Sequence, residues 1–310
     1  MGVPTIDVVH VGSAARDLTD DDPRGWRLGG GVSYGALTTA RLGLRTAAIV
    51  GVDWLAASAS ELDLLRMAGV ELLLVELDEG PVFRNLETPK GRVQTWPARG
   101  RPLPVPDMPS PWRGALAWSL VPVASEIGDA WASVVPENAF ISLAWQGLLR
   151  EQGPDQLTQR LVPRRSLLLD MADLVGVSRH DLAPGTRLSA VTRLLRGSAQ
   201  LALTDGYDGG RLLTVMPGGQ TSSRPWAAVP PERIVDPTGA GDVFLAALLA
   251  AIIRPDLTSH ARPAHPVADL AFAAAVASFV VEAPGMAGVP DHAAVLARLA
   301  TADRVEPSLD

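Results

Sequence analysis

The chain has 310 residues, of which 47% are hydrophobic and 20% charged, and its formal net charge is −7. This suits a globular chain with a sizeable core rather than a disordered one, and with no run of Lys or Arg it excludes the basic face of a nucleic-acid binder. The absence of cysteine excludes disulfides, thiolate metal sites and a cysteine nucleophile.

Ile6–Val11 reads as a buried strand closed by Gly12, and residues 13–28 as polar and loop-like. Val32, Ala36, Thr39, Ala40 and Leu44 fall at helical spacing, and Gly43 marks the helix end. Residues 45–52 then read as a strand, Glu61–Ala68 as a helix and residues 70–77 as a third strand. This alternation predicts a parallel sheet covered on both faces.

Residues 81–105 break the rhythm and read as strands joined by a turn at Thr88–Gly91. Further strands are expected within 114–123, 138–145, 166–177 and 199–206, with helical segments at Asp155–Arg160 and Leu188–Arg196. Val243–Ile253, Pro266–Val281 and His292–Thr301 complete the helices. The apolar runs near 243–253 and 270–281 fall short of the ~20 residues of a membrane helix. The stretch MGVPTIDVVHVG has neither the basic region nor the apolar core of a signal peptide, so a cytoplasmic protein without membrane contact is expected. The five histidines are scattered without metal-ligand spacing and read as structural or surface residues.

DPTGAGDVF, residues 236–244, carries the chemistry. Gly239, Ala240 and Gly241 stand at the mouth of a helix, where unpaired N–H groups and the helix dipole favour an oxyanion or phosphate. Asp242 has two readings. It is an ordinary first-turn acid beside a tight turn, or it is a general base that takes a hydroxyl proton while the amides stabilise a transferring phosphoryl group.

This segment resembles the C-terminal motif of the ribokinase-like (PfkB) carbohydrate kinases. GGGVSYGALTTARLG (29–43), LTDGYDGG (203–210), VEAPGMAGVP (281–290) and FRNLETPKGRVQ (83–94) resemble further family segments in the same order. The resemblance implies a three-layer α/β/α sandwich spanning 1–310 as one domain. Its sheet would be mainly parallel, with a small β lid from about 13–30 and 81–105. It implies transfer of the γ-phosphate of ATP, with Mg²⁺, to a hydroxyl of a sugar-like molecule. Asp242 would be the base and Gly239, Ala240 and Gly241 the anion hole. Asp17, Gly30, Gly31, Ser33 and Asn85 would bind the acceptor. Thr204, Gly206, Gly209, Asp236 and Thr238 would bind the nucleotide, and a homodimer through the lid follows by the same analogy.

The departures are specific. The family's Asn in the N-terminal motif is missing beside Ser33 and Tyr34, and its N-x-x-E motif becomes Ser178–Asp181, with Asp181 as the metal-linked carboxylate. These changes leave a nucleoside or inositol kinase, or a weak paralogue that binds a sugar or nucleotide, as the alternatives.

Overall fold

Local sequence sets the elements in a regular order. β1 (Val8–Ser13), β2 (Ala15–Leu18) and β3 (Trp26–Gly29) precede α1 (Gly31–Arg41), β4 (Thr46–Val52), α2 (Glu61–Met67) and β5 (Glu71–Glu76). Then come β6 (Pro81–Thr88), β7 (Gly91–Arg99), β8 (Ala117–Leu120), β9 (Phe140–Ala144), β10 (Arg150–Gln152) and β11 (Thr158–Arg160). The chain continues with α3 (Leu167–Met171), β12 (Leu174–Ser178), α4 (Leu188–Thr192), β13 (Gln200–Thr204), β14 (Gly210–Val215) and β15 (Thr221–Trp226). It ends in α5 (Ala240–Ile253), α6 (Ala268–Val280) and α7 (His292–Val305). The structure is a computed structural model that describes residues 6–88, 91–258 and 268–305.

Nine strands form the central sheet in the order β15-β14-β13-β12-β9-β8-β1-β4-β5. All pair in parallel except β14, which runs antiparallel to both neighbours. Every residue of β1 and β4 is buried, as a strand covered on both faces requires. Val8, Ala48 and Val50 face a core built with α1, α5 and α6, while Val9, Val11, Ala47 and Ile49 face a second core. The two outer layers are unequal. Long helices cover the first face; α3, α4 and the buried indoles of Trp112, Trp118, Trp131 and Trp145 fill the second.

A second sheet, β3-β2-β6-β7, stands beside this body. Ala15, Phe83 and Trp96 form its inner cluster and pack on Val123. Arg16 on β2 reaches Asp53 beyond β4 through two hydrogen bonds of 3.0 and 2.8 Å. A hairpin of β10 and β11 buttresses β7, where Trp96 Nε1 donates to Thr158 Oγ1 at 2.8 Å.

Several expectations need correction. Residues 13–28 hold β2 and β3, because their alternating residues find partners only in the small sheet. Asp155–Arg160 is not helical. Asp155 and Gln156 take φ of 54° and 61°, which turns the chain back into β11. Residues 166–177 divide into α3 and β12, α4 ends at Thr192, and β14 and the edge strand β15 were not anticipated. The tip of the 88–91 turn, the first residues of the 266–281 segment and the tail past 305 lie outside the described residues.

Candidate active site

The loops after β1, β8, β9, β12 and β13 leave the same end of the parallel sheet, and α5 begins there. That end is where an open parallel sheet offers a crevice. Gly239 caps α5 with φ +83°, and a methyl group there would also run into the ring of Tyr34. Only glycine satisfies both conditions. Asp236 pins the approach by accepting from Thr238 N at 2.9 Å and Gly285 N at 3.3 Å. The Ala240 amide turns back to Pro237 O, while those of Gly241 and Asp242 find no acceptor among the described residues. They add to the positive end of the helix dipole.

Asp242 is the acid of this turn, and its carboxylate accepts no hydrogen bond among the described residues. Burial pushes it up to about 6; the Arg150 guanidinium pulls it down and the Asp181 carboxylate adds to the rise. Its neighbour is the glycine run that leads into α1. A methyl at Gly31 would stand 2.5 Å from Asp242 Oδ1, and one at Gly29 would overlap the Asp17 carboxylate. Gly30 has φ +91°, and a methyl there would lie 2.5 Å from Ser13 O. Three successive glycines thus bring one backbone segment against two carboxylates, Asp17 and Asp242.

Tyr34 stands among these acids. Burial holds its phenol well above the ordinary range, with Asp17, Asp236 and Asp242 adding to the rise, so the hydroxyl keeps its proton at neutral pH. Ser33 lies one residue away but is fully buried in α1, its Oγ unpartnered among the described residues. Asn85 is on β6 of the small sheet and accepts from Gln94 Nε2 at 2.9 Å. Thr204 ends β13, Gly206 and Gly209 stand in the turn after it, and both glycines have positive φ. Asp205 between them pairs with Arg179 at 2.6 Å.

Asp181 does not present a bare carboxylate for a metal. Oδ2 accepts from Ser178 N at 3.2 Å in a capping box, and Oδ1 accepts from Gln146 Nε2 at 3.0 Å. Among the described residues no three His, Asp or Glu side chains gather as a metal cage. The residues therefore do not fit a directly held Mg²⁺, a cation that keeps much of its water and binds largely through substrate phosphates.

Sequence reasoning missed three residues that the fold brings here: Tyr34 as a buried phenol, Glu126 and Arg150. Arg150 donates to Val123 O at 3.1 and 2.9 Å and to Gln94 Oε1 at 2.9 Å, and it lies over the rings of Phe83 and Trp96. An arginine one short turn past a buried apolar strand was the available signal; for Glu126 there was none.

Residues 156–292 match the family model described as pfkB family carbohydrate kinase. No curated protein matches the sequence. Solved structures similar in fold include Arabidopsis thaliana ribokinase complexed with ribose and ATP. It has 20% identity and a TM-score of 0.66, over 95% of this chain and 98% of that one. A pyrophosphate-dependent kinase in the ribokinase family, complexed with a pyrophosphate analog and myo-inositol, has 19% identity and a TM-score of 0.68 over 94% and 99%. The Methanocaldococcus jannaschii nucleoside kinase has 17% identity and a TM-score of 0.66 over 96% and 99%.

The fold is therefore that of the ribokinase-like kinases, a three-layer sandwich around a mainly parallel sheet with a small sheet at its side. Within that class, residues 156–292 are similar to the pfkB family of carbohydrate kinases.

Proposed function

We propose that this kinase transfers the terminal phosphoryl group of ATP to a hydroxyl of a neutral, sugar-like polyol. The observation that carries this reading is the start of α5. A carboxylate that accepts no hydrogen bond among the described residues and is raised to about 6 stands in the same turn as two amides without a described acceptor and against Gly31. At pH 7–8 such a group is mostly ionised, yet more basic than an ordinary aspartate.

The acceptor hydroxyl gives its proton to Asp242 as its oxygen bonds to the γ-phosphorus. The bridging P–O bond breaks and ADP leaves. The Gly241 and Asp242 amides meet the charge on the transferring group, with Gly239 and Ala240 shaping the approach. Asp17, Gly30 and Gly31 hold the acceptor from one side and Asn85 from the small sheet; Ser33, sealed within α1, supports the glycine segment. Asp236 and Thr238 order the donor side, together with Thr204, Gly206 and Gly209. The small sheet acts as the lid that excludes water. Exposed Leu86 and Val93, cross-strand neighbours on it, suit a second copy of the chain.

Pyrophosphate is the alternative donor, on the likeness to the pyrophosphate-dependent kinase. Exposed apolar side chains at the donor end favour the nucleotide: Tyr207 is 68% exposed, Ile234 56% and Val235 49%. A base can cover these groups; pyrophosphate has no surface to do so.

The test is phosphoryl transfer from ATP or pyrophosphate across pentoses, hexoses, inositols and nucleosides. Asp17→Ala runs beside the wild type. The expected result is ATP-dependent transfer to one class of polyol, with the Asp17→Ala defect confined to the acceptor KM and turnover. Pyrophosphate as the better donor would replace ATP. Tight binding of a panel member without transfer from either donor would overturn the kinase reading.

A further inference from the structure

Arg150 is an unusual cation. It is 8% exposed, and no described carboxylate is in direct ion-pair contact with it. A guanidinium has five N–H donors. Here one N–H from each of three nitrogens reaches a neutral acceptor, Val123 O twice and Gln94 Oε1 once, and two N–H remain. The rings of Phe83 and Trp96 lie 5.1 and 5.7 Å from its central carbon. A buried charge without a paired one is costly, so its retention calls for a reason.

The reason lies in what surrounds it. The field of Arg150 falls on Asp181, Asp242, Glu126 and Asp17. Its anchor, Val123, is two residues beyond Val121, whose side chain borders Gly31 next to Asp242. The groups facing Asp242 are Tyr34 from α1, Asp181 from the turn after β12 and Arg150 from β10. Around Tyr34 stand Asp17 of β2, Asp236 and Arg27 of β3, and Arg27 is itself 4.0 Å from both Asp22 and Asp236. Of these groups, Arg150 is the cation that favours ionised Asp242.

Its other anchors belong to the small sheet. Gln94 and Trp96 are on β7 and Phe83 is on β6. Gln94 is itself tied on both sides, accepting from Thr158 Oγ1 at 3.1 Å and donating to Asn85 at 2.9 Å. The cation whose field reaches Asp242 is thus clamped between the main body, at Val123, and the small sheet.

We propose that Arg150 is a positioning residue that couples the seating of the small sheet to the readiness of Asp242, by holding a fixed positive charge whose field reaches the base. The proposal rests on Asp242 being the base. It explains why every hydrogen bond of the guanidinium goes to a neutral acceptor: an immediate carboxylate would neutralise the field that Asp242 needs. It also distinguishes Arg150 from an anion-reading residue, because Asp17, Asp181 and Asp242 already make the surroundings acidic.

The experiment follows Asp242 directly. The ¹³C carboxylate resonance lost in Asp242→Asn is titrated in full-length wild type, Arg150→Met, Arg150→Lys and Gln94→Leu without donor or acceptor. Wild type is expected to titrate near 6. Arg150→Met should move the midpoint up by about one unit, the scale of a lost opposite charge nearby. Arg150→Lys should stay close to wild type, and Gln94→Leu should shift in the same direction by less.

The acid limb of the pH–rate profile should move in parallel. An unmoved midpoint in folded Arg150→Met overturns the proposal, as does a shift of equal size in Arg150→Lys, which would make packing the cause. If Arg150→Met does not fold, Gln94→Leu decides, and an unmoved midpoint there overturns the proposal. A raised acceptor KM with an unmoved midpoint would make Arg150 a substrate contact instead. Absence of phosphoryl transfer in wild type would defeat the kinase reading, while the titration would still decide the role of Arg150.

Discussion

Glu126, in the loop after β8, and Asp242, in the first turn of α5, both lie within the field of Arg150, and their surroundings are opposite. Glu126 is 4% exposed and accepts from the amides of Ser13, Val123 and Ala124 at 2.8–3.1 Å, Val123 bridging both of its oxygens. It ties the end of β1 to the loop whose Val123 O anchors Arg150. Burial raises its pKa while these amides oppose the rise. Asp242 has no such partners among the described residues; burial sets its basicity and Arg150 moderates it. A carboxylate wrapped in amides is a brace. One left without donors, beside a helix start and a glycine run, can exchange a proton with a ligand.

Asp242→Asn should break the comparison most sharply. It should lower turnover by about 10²–10⁴-fold and leave donor affinity near wild type, as removal of a general base does. Parallel kinetics and calorimetric titration check this; equal turnover would return Asp242 to the role of a first-turn acid. Glu126→Gln should do the reverse. Its amide would turn donors toward backbone donors, costing about 1–3 kcal/mol of stability while the folded fraction keeps most of its turnover. Denaturant melts beside active-site-normalised rates separate the two effects.

A smaller effect sharpens the contrast. Asp242 has a folded-state pKa of about 6 against an ordinary 3.8, so folding is penalised as pH rises from about 4 to 6 and the penalty persists above that. Asp242→Asn should therefore melt higher than wild type at pH 8, with the gap closing near pH 4. A constant gap would assign the gain to packing. The smallest effect concerns His10, which burial pushes down to about 3 and which donates to or accepts from Thr39 Oγ1 at 3.0 Å. It is neutral in the fold and protonates when unfolded, so its contribution is intact above 6.5 and fades as pH falls toward 3. His10→Gln should flatten the decline in urea midpoint between pH 7.5 and 4.5.

The legible parts of the molecule were those written locally. The apolar runs of β1 and β4, the alanine-rich α5 and α6, and a glycine triplet followed by an acid depend on neighbours in sequence. The hairpin at 150–160 misled because its polar residues have no period, and Asp155 and Gln156 adopt left-handed backbone that sequence pattern does not mark. Residues 13–28 misled because strand β2 pairs with β6, more than sixty residues away. Arg150, Glu126 and Tyr34 acquire meaning only when distant segments meet, Arg150 with Gln94 and Val123, Glu126 with Ser13. Asp181 was found by motif, but its hydrogen bonds to Ser178 and Gln146 came only from the fold.

The run Gly29–Gly31 has a consequence for how such an enzyme changes. Each position would place a methyl group in another atom's space: the Asp17 carboxylate, Ser13 O, or Asp242 with Val121. The run therefore works as a gauge, fixing the gap between the two carboxylates on one stretch of backbone that tolerates no side chain. On the function proposed above, editing this gauge would disturb both carboxylates rather than admit a new acceptor. A change of acceptor would then fall to the opposite wall, the small sheet that carries Asn85, while the glycine run keeps the two carboxylates in place.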